Sequence, residues 1–190
     1  MKTENILSPQ ESILVITNAI AKTKENIAKN SFSFLLWGWL ISIASFAFFI
    51  LEQYTTFSFY FIPFPILVSL GIIISLLYYS KRKSRSTLTY IDHFLGKMWM
   101  VLGISFLVVV FMNVSQGHAP FTYTLLIAGI GTLVSGLVLR FKPLTAGGIL
   151  FLFSALASIY INEQYIVLWH GFAVIGGYLI PGYLLKKSKA

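Results

Sequence analysis

The sequence predicts an all-α polytopic membrane protein, with six transmembrane helices in a bundle and one N-terminal cytoplasmic amphipathic helix. Three observations carry that reading. Six stretches of the 190-residue chain are long and apolar enough to cross a bilayer. All 14 Lys and Arg residues fall on one side of those stretches. Tyr and Trp collect near their ends, where a ring with a polar tip suits the headgroup region.

The first element is a helix expected from Pro9 to about Lys29. Ser8-Pro9-Gln10-Glu11 has the form of a capping box. Ser8 can accept the N–H at the third helical position, and Glu11 can reach back to the Ser8 N–H. Pro9 then occupies the first helical position, where a missing N–H does no harm. Ile13, Ile16, Ile20 and Ile27 form a narrow stripe at heptad-like spacing, with Lys22 and Lys29 away from it. Two roles remain open for this helix. It lies on the inner leaflet or packs under the bundle, with Lys22, Lys24 and Lys29 meeting lipid phosphate, or its thin stripe docks on a second copy or a cytoplasmic protein.

The spans follow at about 32–51, 59–79, 94–113, 121–139, 143–161 and 165–185. Each approaches the roughly 20 residues needed to cross about 30 Å of hydrocarbon. None contains Asp, Glu or Arg, and Lys97 sits one turn inside its span, where its long side chain can snorkel to the interface. The first, third and fifth connections hold no Lys or Arg. The second holds Lys81, Arg82, Lys83 and Arg85, and Arg140 and Lys142 frame the fourth. Lys186, Lys187 and Lys189 end the chain. Roughly three quarters of the non-spanning residues lie on the basic side, so even scatter would leave about four basic residues on the other. There are none. By the positive-inside rule both termini are cytoplasmic, and a bacterial inner membrane is the expected location. Three segments result: residues 1–31 cytoplasmic, 32–185 transmembrane, and 186–190 a basic tail. The first thirty residues mix charge with apolar positions, unlike a signal peptide, so the first span is expected to act as an uncleaved anchor.

Within the spans, Ala128, Thr132 and Gly136 recur every four residues, as do Gly131 and Ser135. Gly147, Gly148, Ala155 and Ser158 do something similar in the fifth span. Small residues at such spacing let helix backbones approach closely. Pro63 and Pro65 should bend or start the second span, and Gly176, Gly177, Pro181 and Gly182 predict a kink or early unwinding in the sixth. Ile50-Leu51-Glu52-Gln53-Tyr54 resembles Ile161-Asn162-Glu163-Gln164-Tyr165, which six similar apolar helices explain as readily as a triplicated hairpin.

Composition excludes several functions. With no Cys there is no disulfide or thiolate chemistry. The formal charge of +8 faces an anionic inner leaflet, so lipid explains it without nucleic acid. No H-E-x-x-H, G-x-S-x-G or phosphate-binding glycine motif is present, and an enzyme is not expected. Neither metal nor cofactor is expected: His93, His118 and His170 fall in an inner loop, an outer loop and a span. His170 is the one ionisable candidate at membrane depth. It either hydrogen-bonds a neighbouring helix or headgroup, or contacts a pore or ligand. Thr89-Tyr90-Ile91-Asp92 reads as a second capping box, with Thr89 and Asp92 starting the third span.

Ser8-x-x-Glu11-Ser12-Ile13, Thr23-Lys24, Ser31-Phe32-x-Phe34-Leu35-Leu36-Trp37-Gly38-Trp39, and Tyr90-Ile91-Asp92 leading to Trp99 carry a resemblance. Over its first hundred residues the chain resembles a family of small bacterial multi-pass membrane proteins with no assigned biochemical activity. Genes of that family sit near small transcriptional regulators, so the resemblance implies a signalling or accessory role. It supplies no catalytic residues. The expected function is therefore a non-enzymatic inner-membrane protein offering its cytoplasmic face to a protein partner, a second copy or anionic lipid. Ile13, Ile16, Ile20, Ile27, Lys22, Lys24, Lys29, Lys81, Arg82, Lys83 and Arg85 make up that face. The alternative is a small transporter or channel for an uncharged or hydrophobic solute, using His170 and the sixth span.

Overall fold

Helices in hydrocarbon gain little from bringing apolar side chains together, because lipid tails are as apolar as leucine. Close backbone approach and hydrogen bonds decide which helices touch, so the positions of Gly, Ser and Thr shape the fold. The structure, a computed structural model, describes residues 31–85 and 90–188, without the side chains of 82–85. Ser8, Glu11, the four-isoleucine stripe, Lys22, Lys24, Lys29 and Thr89 lie outside the described residues.

Those residues form an all-helical protein with no strand. The helices are α1 (Ser31–Tyr54), α2 (Pro63–Arg85), α3 (Tyr90–Ser115), α4 (Phe121–Val138), α5 (Lys142–Ser158) and α6 (Glu163–Lys187). Five of them are long and apolar enough to cross a membrane. The 17-residue α5 is apolar but shorter. Helix α1 continues past the expected span end, so Glu52 lies on its last turn. Residues 59–62 form a turn rather than the start of a span, because Pro63 and Pro65 fit the first turn of α2 but not a helix interior.

Helices α4 and α5 form the closest pair. A Cβ on Gly136 would overlap the Thr145 backbone, one on Gly148 would overlap Leu133, and one on Gly129 would lie 2.7 Å from Leu152. Near the far end, Thr122 Oγ1 and Ser158 Oγ are 2.8 Å apart. These contacts keep one antiparallel register, so α5 runs beside α4 for its whole length. The turn between them is a Schellman motif: Phe141 N–H donates to Gly136 O at 2.9 Å and Arg140 N–H to Leu137 O at 3.2 Å. Arg140 occupies its left-handed position with φ 51°, where glycine is usual.

Helices α1 and α6 are likewise antiparallel. Gly182 meets Leu35 and Phe34, Gly38 meets Leu179 and Tyr178, and Gly171 meets Ser45 and Phe46. Ala173, Val174 and Tyr178 join Phe151 and Leu144 of α5 and Leu125 and Ala128 of α4 in one core. Sequence suggested a kink or unwinding in α6. Instead the helix widens into a π-turn at Ile175–Leu179 and resumes at Ile180–Lys187. Glycines on both sides permit this: a Cβ on Gly147 would stand 2.6 Å from the Gly177 carbonyl, and Gly177 itself lies under the Phe151 ring. The chain widens where close neighbours hold it and keeps helical hydrogen bonding.

Around this four-helix core, among the described residues, the backbone of α2 comes close only to α1 and that of α3 only to α4. The basic residues described, from Lys81 and Lys97 to Arg140, Lys142, Lys186 and Lys187, gather at one end of the bundle. Contacts at that end fix this: Phe32 stacks on Tyr78, Phe34 meets Trp99, and Gly182 meets Leu35.

Candidate functional site

A serine or threonine hydroxyl in a helix usually donates its single proton to a carbonyl one turn back, which leaves the oxygen free to accept. That rule organises the polar groups of the core. Ser135 Oγ donates to Gly131 O at 2.7 Å and accepts from Trp99 Nε1 at 3.1 Å, tying α3 to α4. Thr132 Oγ1 likewise donates to Ala128 O, at 2.7 Å. Trp169 Nε1 donates to Ser154 O at 3.1 Å, joining α6 to α5. The Trp99 and Trp169 bonds cross between helices, and each fixes one aromatic ring.

His170 is the centre of a similar but richer arrangement. It is buried, on the half of α6 away from the basic end. Its Nδ1 lies 2.9 Å from Ser45 Oγ of α1, and its Nε2 lies 3.3 Å from Thr124 Oγ1 of α4. Ser45 Oγ is 2.8 Å from Ile41 O, and Thr124 Oγ1 is 2.8 Å from Phe121 O. Each hydroxyl can also donate to its own helix carbonyl, so a neutral imidazole protonated on either ring nitrogen donates to one hydroxyl and accepts from the other. One neutral side chain thus bridges three helices without a buried charge.

Aromatic rings close this site toward the end opposite the basic residues. Phe121 lies 5.3 Å from the imidazole and Phe64 6.3 Å, centroid to centroid. Phe48 packs edge-on against both rings, at 5.6 and 5.8 Å. Phe64 is the point at which the otherwise peripheral α2 reaches the centre. Ser42 lies one turn from Ser45 on α1 and is buried, and its hydroxyl has no partner among the described residues. Its place between Gly38 and Ser45 puts it opposite the start of the π-turn.

Of the other sequence candidates, Lys81 is exposed at the basic end, and Arg82, Lys83 and Arg85 lie on the last turn of α2. Asp92 sits in the first turn of α3, as a capping role requires. His93 and His118 are exposed, and among the described residues no group of three metal-ligating side chains converges. A shallow cleft of about 440 Å³ lies along α3, from Tyr90 to Leu102, and its described lining belongs to that one helix. Sequence reasoning missed Ser45, Thr124 and this cleft. Serine and threonine are common enough in apolar helices that nothing marked these two.

No protein-family model, curated protein or solved structure matches the chain.

Proposed function

We propose that the chain is a non-enzymatic integral protein of a bacterial inner membrane, with six spans and both termini cytoplasmic. Its role is accessory or signalling. It offers the amphipathic segment 9–29 and the basic connection at Lys81–Arg85 to a protein partner or to anionic lipid. The observation that carries this reading is the gathering of the described basic residues at one end of a bundle whose interior hydrogen bonds are nearly all closed. A sixth span is supported by the full-length register of α5 against α4, since α4 meets the length and apolarity needed for crossing. At about 1.5 Å per residue α5 is short for 30 Å of hydrocarbon but within the lower range of known spans.

The test is deletion of residues 1–29. Insertion should persist while co-purifying partners are lost, and retention of the same partners and phenotype would remove the proposal. One observation favours the transport alternative: Ser42 offers a hydroxyl without a partner among the described residues, beside the His170 site and the π-turn. Solute flux in proteoliposomes that is lost in His170→Ala and Gly177→Leu would support that reading, and flux unchanged in both variants would remove it.

A further inference from the structure

The first three turns of α3 carry a face that changes character along its length. At 100° per residue, Tyr90, Phe94, Lys97, Met98 and Val101 fall within one side of the helix, with His93 and Leu102 at its margins. All seven line the same shallow cleft. The polar tips of Tyr90, His93 and Lys97 stand toward the basic end. The deeper wall is apolar, made by Met98, Val101 and Leu102, and Val101 is 58% exposed. Asp92, the nearby carboxylate on the same helix, lies about 140° around from Lys97 and faces away. Lys97 is exposed.

An ammonium one turn inside an apolar segment, with an imidazole one turn above it and a greasy wall one turn below, matches an amphiphile that has its anionic group at the surface. Headgroup and chain of a phospholipid are ordered along the membrane normal in that way. The separation fits as well: Tyr90 to Leu102 spans about 18 Å of helix, close to the roughly 20 Å depth of one leaflet with its headgroups. Among the described residues the backbone of α3 approaches only α4, and no described helix covers this flank. The Lys81–Arg85 sequence, four residues before Tyr90, adds four positive charges to the same end of the bundle.

We infer that this cleft is a binding site for one anionic phospholipid, with Lys97 and His93 holding its phosphate and Met98, Val101 and Leu102 seating an acyl chain. The inference rests on the membrane-embedded reading, which carbonate extraction tests separately. Native mass spectrometry of the full chain released from detergent, with phosphatidylglycerol or phosphatidylcholine added, reads the site directly. Wild type should retain one phosphatidylglycerol preferentially. Lys97→Ala should lose that retention about tenfold and Lys97→Arg should restore it, while Lys186→Ala, a basic residue outside the cleft, should leave it unchanged. Equal retention of both lipids by wild type, or equal losses in Lys97→Ala and Lys186→Ala, would overturn the inference. A photo-crosslinking residue at position 101, activated in membranes, should capture lipid. Capture of residues 1–29 or of a second copy instead would assign the cleft to that occupant and sink the lipid site.

Discussion

Helices α4 and α3 are neighbours of similar composition, yet one is built into the core and the other is attached to its edge. In α4 the small and hydroxyl residues fall on one side: Ala128, Gly129, Gly131, Thr132, Ser135 and Gly136 are all buried. Each glycine there meets a neighbouring helix. In α3 the glycines Gly96 and Gly103 meet nothing within 4 Å among the described residues, and Leu95 is the helix's one buried residue there. What holds α3 is its partners' small residues, since Trp99 and Leu102 fit over Gly131 and the indole donates to Ser135. Glycine content therefore does not make a packing face. A face forms where glycine, serine and threonine share a side and a partner offers a backbone or a bulky ring to fill the gap.

The contrast can be broken most forcefully at the α4–α5 seam. Gly148→Ala places a methyl group against the Leu133 backbone, which cannot move aside as a flexible side chain could. A loss of about 3 kcal/mol is expected, and reversible unfolding in mixed micelles measures it. His170→Ala comes next. It removes two interhelical hydrogen bonds and a ring, and should cost about 1–2 kcal/mol in the same assay. Ser45→Ala and Thr124→Ala should each cost less, with a non-additive double variant because both act through one imidazole. Arg140→Gly should gain about 1 kcal/mol by relieving the left-handed backbone of the α4–α5 turn. A loss there would mean that the arginine side chain contributes more than its backbone costs. Smallest of all, Gly103→Ala should be neutral or stabilising by up to about 1 kcal/mol, the helix-propensity difference, because its side chain would point into open space. A large loss at Gly103 would show that α3 has a partner on that side.

These effects also separate what the sequence made legible from what it did not. In uniformly apolar helices hydropathy has no periodicity to reveal which side is buried, so the small-residue spacing had to do that work. It succeeded for Ala128, Gly131, Thr132, Ser135 and Gly136 and for Gly147, Gly148, Ala155 and Ser158, all of which are buried. One-sided charge gave the common end of the helices for the same physical reason that it guides insertion. His170 stood out because an imidazole is rare in a span. Its partners did not, since a hydroxyl that bonds its own helix leaves no trace in sequence. The π-turn was legible only as a disturbance: Gly176, Gly177 and Pro181 marked where α6 departs from regularity. Whether it would break or widen depended on Gly147 and Phe151, which are distant in sequence.

The account depends most on α5 crossing the full depth of the membrane beside α4. The chain has no native cysteine, so single cysteines at the two ends of α5 report its topology directly. Asn162→Cys and Phe141→Cys would be labelled with a membrane-impermeant maleimide in intact cells and again after permeabilisation. The account predicts that Asn162→Cys reacts from outside and Phe141→Cys only once the membrane is opened. Labelling of both from the same side would place both ends of α5 on one face and contradict it.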